Sequence, residues 1–290
     1  MIPVTNENYY QMAWAVRTVL IENMIGEIGN DLPAVLNKFL DFESRHALRA
    51  NVVSKDDPAN ETGEDCFSGK VAFLPIEDQR KVEIVEDHVI HYELALRREI
   101  IPKLAEAVRP DTRTVIELGS GYGLNLFSLF YELGKPRNIT FIAAEFTQSG
   151  QKLCSRLGGL ESAMALDCRA FDHSAPEFDP INGTGGTLAF SVHSIEQVKE
   201  LPGHYFDVVA AIAEPITGMH FEPFQFQSAD NFDGKDAQRT FTEAMGYNMN
   251  LLDVFEDAVE RKVVAKVDLD FLAANSGETI PSSLIHWRRP

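Results

Sequence analysis

The chain is short of cysteine, of basic charge and of long apolar runs, and each shortage excludes something. Cys66, Cys154 and Cys168 are an odd number at wide spacing, which suits neither a disulfide framework nor a thiolate zinc site. A reducing, cytoplasmic setting is the resulting expectation. The 44 acids outnumber the 26 bases, for a formal charge of −18, and a surface of that sign repels the phosphates on which non-specific nucleic-acid affinity rests. DNA and RNA partners are therefore not expected. No run approaches the roughly 18–20 apolar residues that a membrane span needs. The start, Met1-Ile2-Pro3-Val4-Thr5-Asn6-Glu7, lacks a basic-then-apolar leader pattern. Internal repeats are also missing.

What is present is enough apolar sequence for a large core: 44% of 290 residues. The chain is organised around Val115-Ile116-Glu117-Leu118-Gly119-Ser120-Gly121-Tyr122-Gly123. An apolar run closes on an acid, three glycines alternate, and Leu124, Leu126, Phe127 and Phe130 then recur at helical spacing. That reads as strand, tight turn and helix, a geometry that brings bare backbone against a nucleotide-like ligand. The spacing is E-x-G-x-G-x-G, not the dinucleotide fingerprint G-x-G-x-x-G. It resembles the first motif of class I S-adenosylmethionine-dependent methyltransferases.

From residue 114 onward, strand and helix patterns alternate, which argues for a doubly wound parallel sheet independently of any motif. Strands are expected at 114–118, 139–145, 162–166, 187–193 and 206–213, with a terminal pair at 263–271 and 283–287. Helices are expected at 124–133, 195–201 and 236–261. Before them, helices are expected at the N-terminus, with a break at Ile25-Gly26 and a second helix over 32–48. The polar segment 54–65 has the composition of a loop, suited to disorder or to a lid. A long helix is expected over 76–108, broken near Pro102. The predicted architecture is an α/β, Rossmann-like, doubly wound seven-stranded methyltransferase sheet. An N-terminal helical cap over 1–110 would precede a core over 111–290.

The resemblance implies S-adenosyl-L-methionine as cofactor. Gly119, Gly121 and Gly123 would admit its methionine part, with the helix N-terminus favouring the carboxylate. Glu117 would hold the ammonium group and Glu145, closing the second strand, the ribose hydroxyls. Asp167, with Cys168 beside it, would read the adenine; Asp172 is the competing choice. Past the fourth strand, His193 is the candidate general base and Glu196 the group that orients it or a cationic substrate. Capping or packing is the alternative for His193, and an N-cap role is expected for Ser194. Candidate substrate contacts are Tyr92, Glu214, Phe221 and Phe224, the phenylalanines belonging to a loop over 220–227 that would overhang the pocket. Glu214, paired with Glu222, would also suit an arginine-type acceptor. His88 and His91 do not make a metal site by themselves, so no metal is expected. Glu214-Pro215, Gly246-Tyr247-Asn248 and Trp287-Arg288 are similar to segments of bacterial methyltransferases of natural-product or uncharacterised type. The implied reaction is methyl transfer to an oxygen or nitrogen of a small metabolite or natural product. A peptide or protein acceptor, or a non-catalytic cofactor-binding role, is the alternative. The expected partners are a small-molecule or peptide acceptor, without nucleic acid or membrane, and a homodimer is compatible with the fold.

Overall fold

The structure, a computed structural model, describes residues 2–58, 60–75, 82–85, 88–229, 234–274 and 282–290, with backbone alone at 70, 82–85, 88–98 and 272–274. The chain opens with strand β1 (Ile2–Pro3) and helices α1 (Asn6–Ile28) and α2 (Leu32–Arg45). Two antiparallel pairs follow, β2 (His46–Val53) with β3 (Cys66–Pro75) and β4 (Val82–Val85) with β5 (His88–His91), then helix α3 (Tyr92–Ala107). The remainder alternates: β6 (Thr112–Leu118), α4 (Leu124–Glu132), β7 (Thr140–Ala144), α5 (Gln148–Gly158), β8 (Ala165–Arg169) and β9 (Gly186–Val192). After these come α6 (Tyr205–Ala211), β10 (Ile216–Glu222), α7 (Lys235–Met245), α8 (Leu251–Glu260), β11 (Ala265–Ala274) and β12 (Ser282–Arg288).

Seven strands form one sheet in the order β11-β12-β10-β9-β6-β7-β8. Pairing is parallel from β10 through to β8, and β12 alone runs antiparallel, inserted between β10 and β11. This is a Rossmann-like doubly wound sheet, with its last strand slotted between the fifth and sixth. Because strand side chains alternate, Val115, Phe141, Leu188 and Phe190 enter one core beneath α1 to α5, while Ile116, Ile142, Ala189 and Ile285 enter a second core with α6 and α8. Strands covered on both faces read as continuous apolar runs, which is why β6, β7 and β9 were visible in the sequence.

Several expectations need correction. Residues 206–213 are not the fifth strand; most of that run is helix α6, and β10 takes the strand's place. Phe206, Val209, Ala210 and Ala213 are buried at spacings of three, four and seven, a helical stripe hidden within an unbroken apolar run. Gly218 obscured β10 as a strand, yet it pairs directly with Trp287 on β12. A Cβ at Gly218 would lie 2.2 Å from the indole, so the missing side chain is the space that the ring occupies. The helix expected over 76–108 is instead the β4–β5 pair followed by α3, with Pro102 inside the helix. The β-branched Val82, Ile84, Val85, Val89 and Ile90 favour strands, and His88 and His91 lie on β5 rather than on a helix.

Helix α1 runs through Ile25-Gly26 to Ile28, where the Gly29 N–H caps it on the Ile25 carbonyl at 2.8 Å. Helix α2 stops at Arg45. The segment 54–65 is a turn joining β2 to β3, tied by Asn60. Its amide donates to the Ser54 and Glu64 carbonyls at 3.0 and 2.8 Å. The late helix is two helices, α7 ending at Gly246 with φ +68 and α8 starting at Leu251. Gly218→Ala is predicted to destabilise by about 1–3 kcal/mol, the cost of overpacking a filled core. A thermal melt unchanged by the substitution would contradict the Trp287 packing.

Candidate active site

Strands β6, β7 and β9 end at one cavity of ≈ 780 Å³, within the span of about 300–1,000 Å³ usual for small-molecule sites. Its floor is the glycine turn. Gly119, Gly121 and Gly123 all have positive φ, at +75, +54 and +85, which only glycine adopts freely. A Cβ on Gly119 would lie 2.4 Å from Ser194 Cβ, and one on Gly121 3.0 Å from the Trp14 indole. The turn is tied to the end of β7: the Gly119 and Ser120 amides donate to the Ala144 carbonyl at 2.7 and 3.1 Å. The Gly121 amide donates to Glu145 Oε2 at 3.0 Å, while Glu145 Oε1 accepts from the Thr147 amide and hydroxyl at 3.0 and 2.6 Å. Burial pushes the Glu145 pKa up and these donors pull it back. Glu117, also buried on the wall, accepts the Asn125 side-chain amide at 2.6 Å. Buried against this wall, Ser120 Oγ and Trp14 Nε1 have no hydrogen-bond partner among the described residues.

Asp167 and Cys168 do not line this cavity. The Asp167 carboxylate is half-exposed and pairs with Arg169 at 2.8 Å. Cys168 faces a shallow depression with Lys152 and Arg156. Asp172 and His173, a few residues further on, do line it. Strand β8 lies three residues later than expected, and the loop after it carries Asp172 into the site.

The opposite wall is the loop after β9. His193 has φ +50, an unusual backbone for a side-chain-bearing residue. Its Nε2 hydrogen-bonds Ser282 and its Nδ1 lies 3.4 Å from Glu196 Oε2. The pair His193 and Glu196 is therefore brought together at the cavity wall. Ser194 does not cap the following turn with its side chain. Its hydroxyl donates to the Leu118 carbonyl at 2.8 Å, so the His173 Nε2–H at 3.1 Å must donate to Ser194. Nδ1 of His173 then accepts from Tyr205 at 2.8 Å. Burial lowers the His173 pKa to about 4 and keeps the ring neutral.

Beneath this loop sits Glu222, fully buried at the end of β10. It accepts from the Ser191 hydroxyl at 2.7 Å and from the amides of Ser194, Ile195 and Glu196, each at 3.2 Å. Trp287 donates to His220 Nε2 at 2.9 Å, which leaves Nδ1–H of the neutral ring to face Ser191 Oγ at 3.0 Å. Burial holds the His220 pKa down, at about 3. Burial likewise carries the Glu222 carboxyl up to about 7, against the pull of His193 and with the push of Glu196.

The remaining wall is α1, whose Tyr10, Trp14 and Arg17 face the site. Arg17 lies over the Trp14 ring at 4.8 Å and pairs with Glu43 at 2.8 Å. At the mouth, the Asn6 side-chain amide donates to the Gln197 carbonyl at 2.7 Å. The sequence pattern marked α1 only as a helix, and nothing in it placed Tyr10, Trp14 and Arg17 at the cavity. The other candidate substrate contacts lie elsewhere. Phe221 and Phe224 are buried core residues, because 220–222 belong to β10 rather than to an overhanging loop. Glu214 precedes β10 at the opposite end of the sheet and pairs with Arg289 at 3.2 Å. It cannot join Glu222 around one guanidinium. Tyr92 opens α3, but its side chain lies outside the described residues. Among the described residues, no group of three or more His, Cys, Asp or Glu could hold a metal ion, and no helix is long and apolar enough to cross a membrane.

No protein-family model matches the chain, and no curated protein does. Among solved structures, it is similar to a geranyl diphosphate C-methyltransferase from Streptomyces coelicolor A3(2), crystallised with Mg2+, geranyl diphosphate and S-adenosyl-L-homocysteine. That match has 10% identity, covers 71% of this chain and 86% of the other, and has a TM-score of 0.47. It is also similar to a putative methyltransferase in complex with the Haloferax volcanii Trm112 activator, at 14% identity, covering 69% and 93%, with a TM-score of 0.45. A SAM-dependent methyltransferase from Aquifex aeolicus matches at 10% identity over 69% of this chain and 100% of the other, TM-score 0.43. At such identities the ligand and acceptor residues of one protein do not carry over to another.

Glu222 yields a prediction that needs no ligand. Its folded pKa of about 7 lies above the ordinary carboxyl value of 4.5, so its contribution to stability is complete below about pH 4.5 and is lost as pH rises through 7. Glu222→Gln is therefore predicted to lose about 2–3 kcal/mol less stability than the parent between about pH 5 and pH 8. Denaturant melts giving parallel pH profiles would refute a raised Glu222 pKa.

Proposed function

We propose that the chain is an S-adenosylmethionine-dependent methyltransferase acting on an oxygen or nitrogen of a small molecule. The observation that carries this reading is the E-x-G-x-G-x-G turn, Glu117 to Gly123, ending the middle one of the five parallel strands and opening directly into the cavity. The donor set fits the cofactor. Glu117 and Asp172 offer carboxylates to its ammonium and adenine groups, Asp172 replacing Asp167 in that role. Glu145 lies at the end of β7 for the ribose, at the cost of one of its present donors. The N-terminus of α4 suits a carboxylate. The unpartnered Ser120 Oγ and Trp14 Nε1 suit polar ligand atoms.

Bound S-adenosylmethionine supplies an electrophilic methyl group. The protein's own work is to align an acceptor against it and exclude water. His193, braced by Ser282 and Glu196, is placed to take the acceptor's proton. The strap from Asn6 to Gln197 narrows the mouth and favours a small acceptor over a peptide. The N-terminal residues 1–110 serve as this cap, and 111–290 as the donor-binding core.

S-adenosylhomocysteine is predicted to raise the melting temperature at sub-millimolar concentration. Gly119→Ala, whose Cβ would press on Ser194, should weaken that binding by roughly tenfold or more, about 1.4 kcal/mol. His193→Asn should retain the shift. No stabilisation of the parent protein by the ligand would sink the proposal.

A further inference from the structure

The cavity has a donor half, at the ends of β6, β7 and β8, and an acceptor half, between α1 and the loop after β9. The carboxylates of the donor half are matched to the cofactor, but Glu196 is not among them. It lies past β9 and is 8% exposed. Its Oε1 accepts from Gln197 at 3.0 Å, whereas its Oε2 is buried without a hydrogen bond among the described residues. The nearest basic group to Oε2 is the His193 imidazole, its Nδ1 at 3.4 Å. Directly beneath lies a second buried carboxyl, Glu222. Four donors satisfy Glu222, but Glu196 Oε2 is left a buried carboxylate oxygen without a donor, a costly arrangement unless a cation arrives. Arg17 is not that cation, since it is committed to Glu43.

The surroundings of Glu196 are aromatic. Tyr10 stands on the same cavity wall, with Tyr9 packed edge-on to it at 5.3 Å. After burial itself, the charge of Glu196 is among the causes that raise the phenol pKa of both Tyr10 and Tyr247. The loop cannot swing away readily, because the Asn248 amide and side chain donate to the Glu196 and Val198 carbonyls, both at 2.9 Å. A fixed carboxylate beside aromatic rings matches an ammonium group, by charge and by cation–π attraction. A hydroxyl would leave the charge uncompensated, and a carboxylate would add to it.

We infer that the acceptor is a small amine that docks as its ammonium on Glu196 beside Tyr10 and gives a proton to His193, so that its freed lone pair would take the methyl group as the sulfonium C–S bond breaks and the thioether leaves. This rests on the methyltransferase reading for its name as acceptor, but the site itself is a property of the chain. The test titrates 2-phenylethylamine, 2-phenylethanol and 3-phenylpropanoate, and the corresponding butyl trio, into the full-length protein, with and without S-adenosylhomocysteine. On at least one frame the amine is expected to bind roughly tenfold more tightly than the alcohol and the acid. In Glu196→Gln that preference should fall to within about twofold, with S-adenosylhomocysteine affinity unchanged. Tyr10→Leu should weaken the amine severalfold more than the alcohol. An alcohol or acid that binds as well as the amine, a preference that survives Glu196→Gln, or no amine binding on either frame would overturn the inference. Amine preference without S-adenosylhomocysteine binding would retain this site and remove the methyl-donor reading; the reverse result would do the opposite.

Discussion

The buried carboxyl of Glu222 is the constraint on which the cavity end of the molecule depends. One side chain at the end of β10 gathers three consecutive amides and the Ser191 hydroxyl. It thereby sets the course of the loop carrying His193 and Glu196. A carboxyl removed from water is tolerable only when its acceptor capacity is used, and here at least four donors use it. The line continues through Ser191 and His220 to Trp287, whose indole fills the space left by Gly218. The antiparallel insertion of β12 between β10 and β11 is thus coupled to the geometry of the cavity by a run of neutral hydrogen bonds. Burial holds the rings of His173 and His220, on either side of this loop, neutral.

The glycine turn plays the complementary part. It brings β6, Ser194 and Trp14 so close that side chains at Gly119 or Gly121 would intrude on them. That side of the cavity is consequently lined by backbone and short contacts, and the other side by long side chains from α1 and the loop after β9. Helix α1 packs on α5 through the Arg156–Glu22 pair and the Ser149–Gln11 hydrogen bonds. The N-terminal wall is therefore anchored to the core rather than draped on it.

Legibility in the sequence followed burial. Strands β6, β7 and β9, covered on both faces, showed themselves as apolar runs, and the glycine turn showed itself by spacing. Strand β8 is the sheet's edge and only partly buried, so its apolar signal is weak. With the strand three residues later than expected, Asp167 falls inside it, and Asp172 in the loop beyond reaches the cavity wall. Helix α6 was misread because an unbroken apolar run does not distinguish a buried strand from a short buried helix. The error propagated to Glu214, Phe221 and Phe224, all placed relative to a strand that is not there. Tyr10, Trp14 and Arg17 could not be assigned to the site from sequence, because their role comes from a contact between segments more than a hundred residues apart.

The central claim is that Glu117 to Gly123 forms a methyl-donor site rather than a site for another nucleotide-like ligand. Calorimetric titration of the parent protein with S-adenosylhomocysteine and, separately, with NAD tests it most directly. The account predicts saturable, sub-millimolar binding of S-adenosylhomocysteine and none of NAD; binding of NAD alone, or of neither, would contradict it.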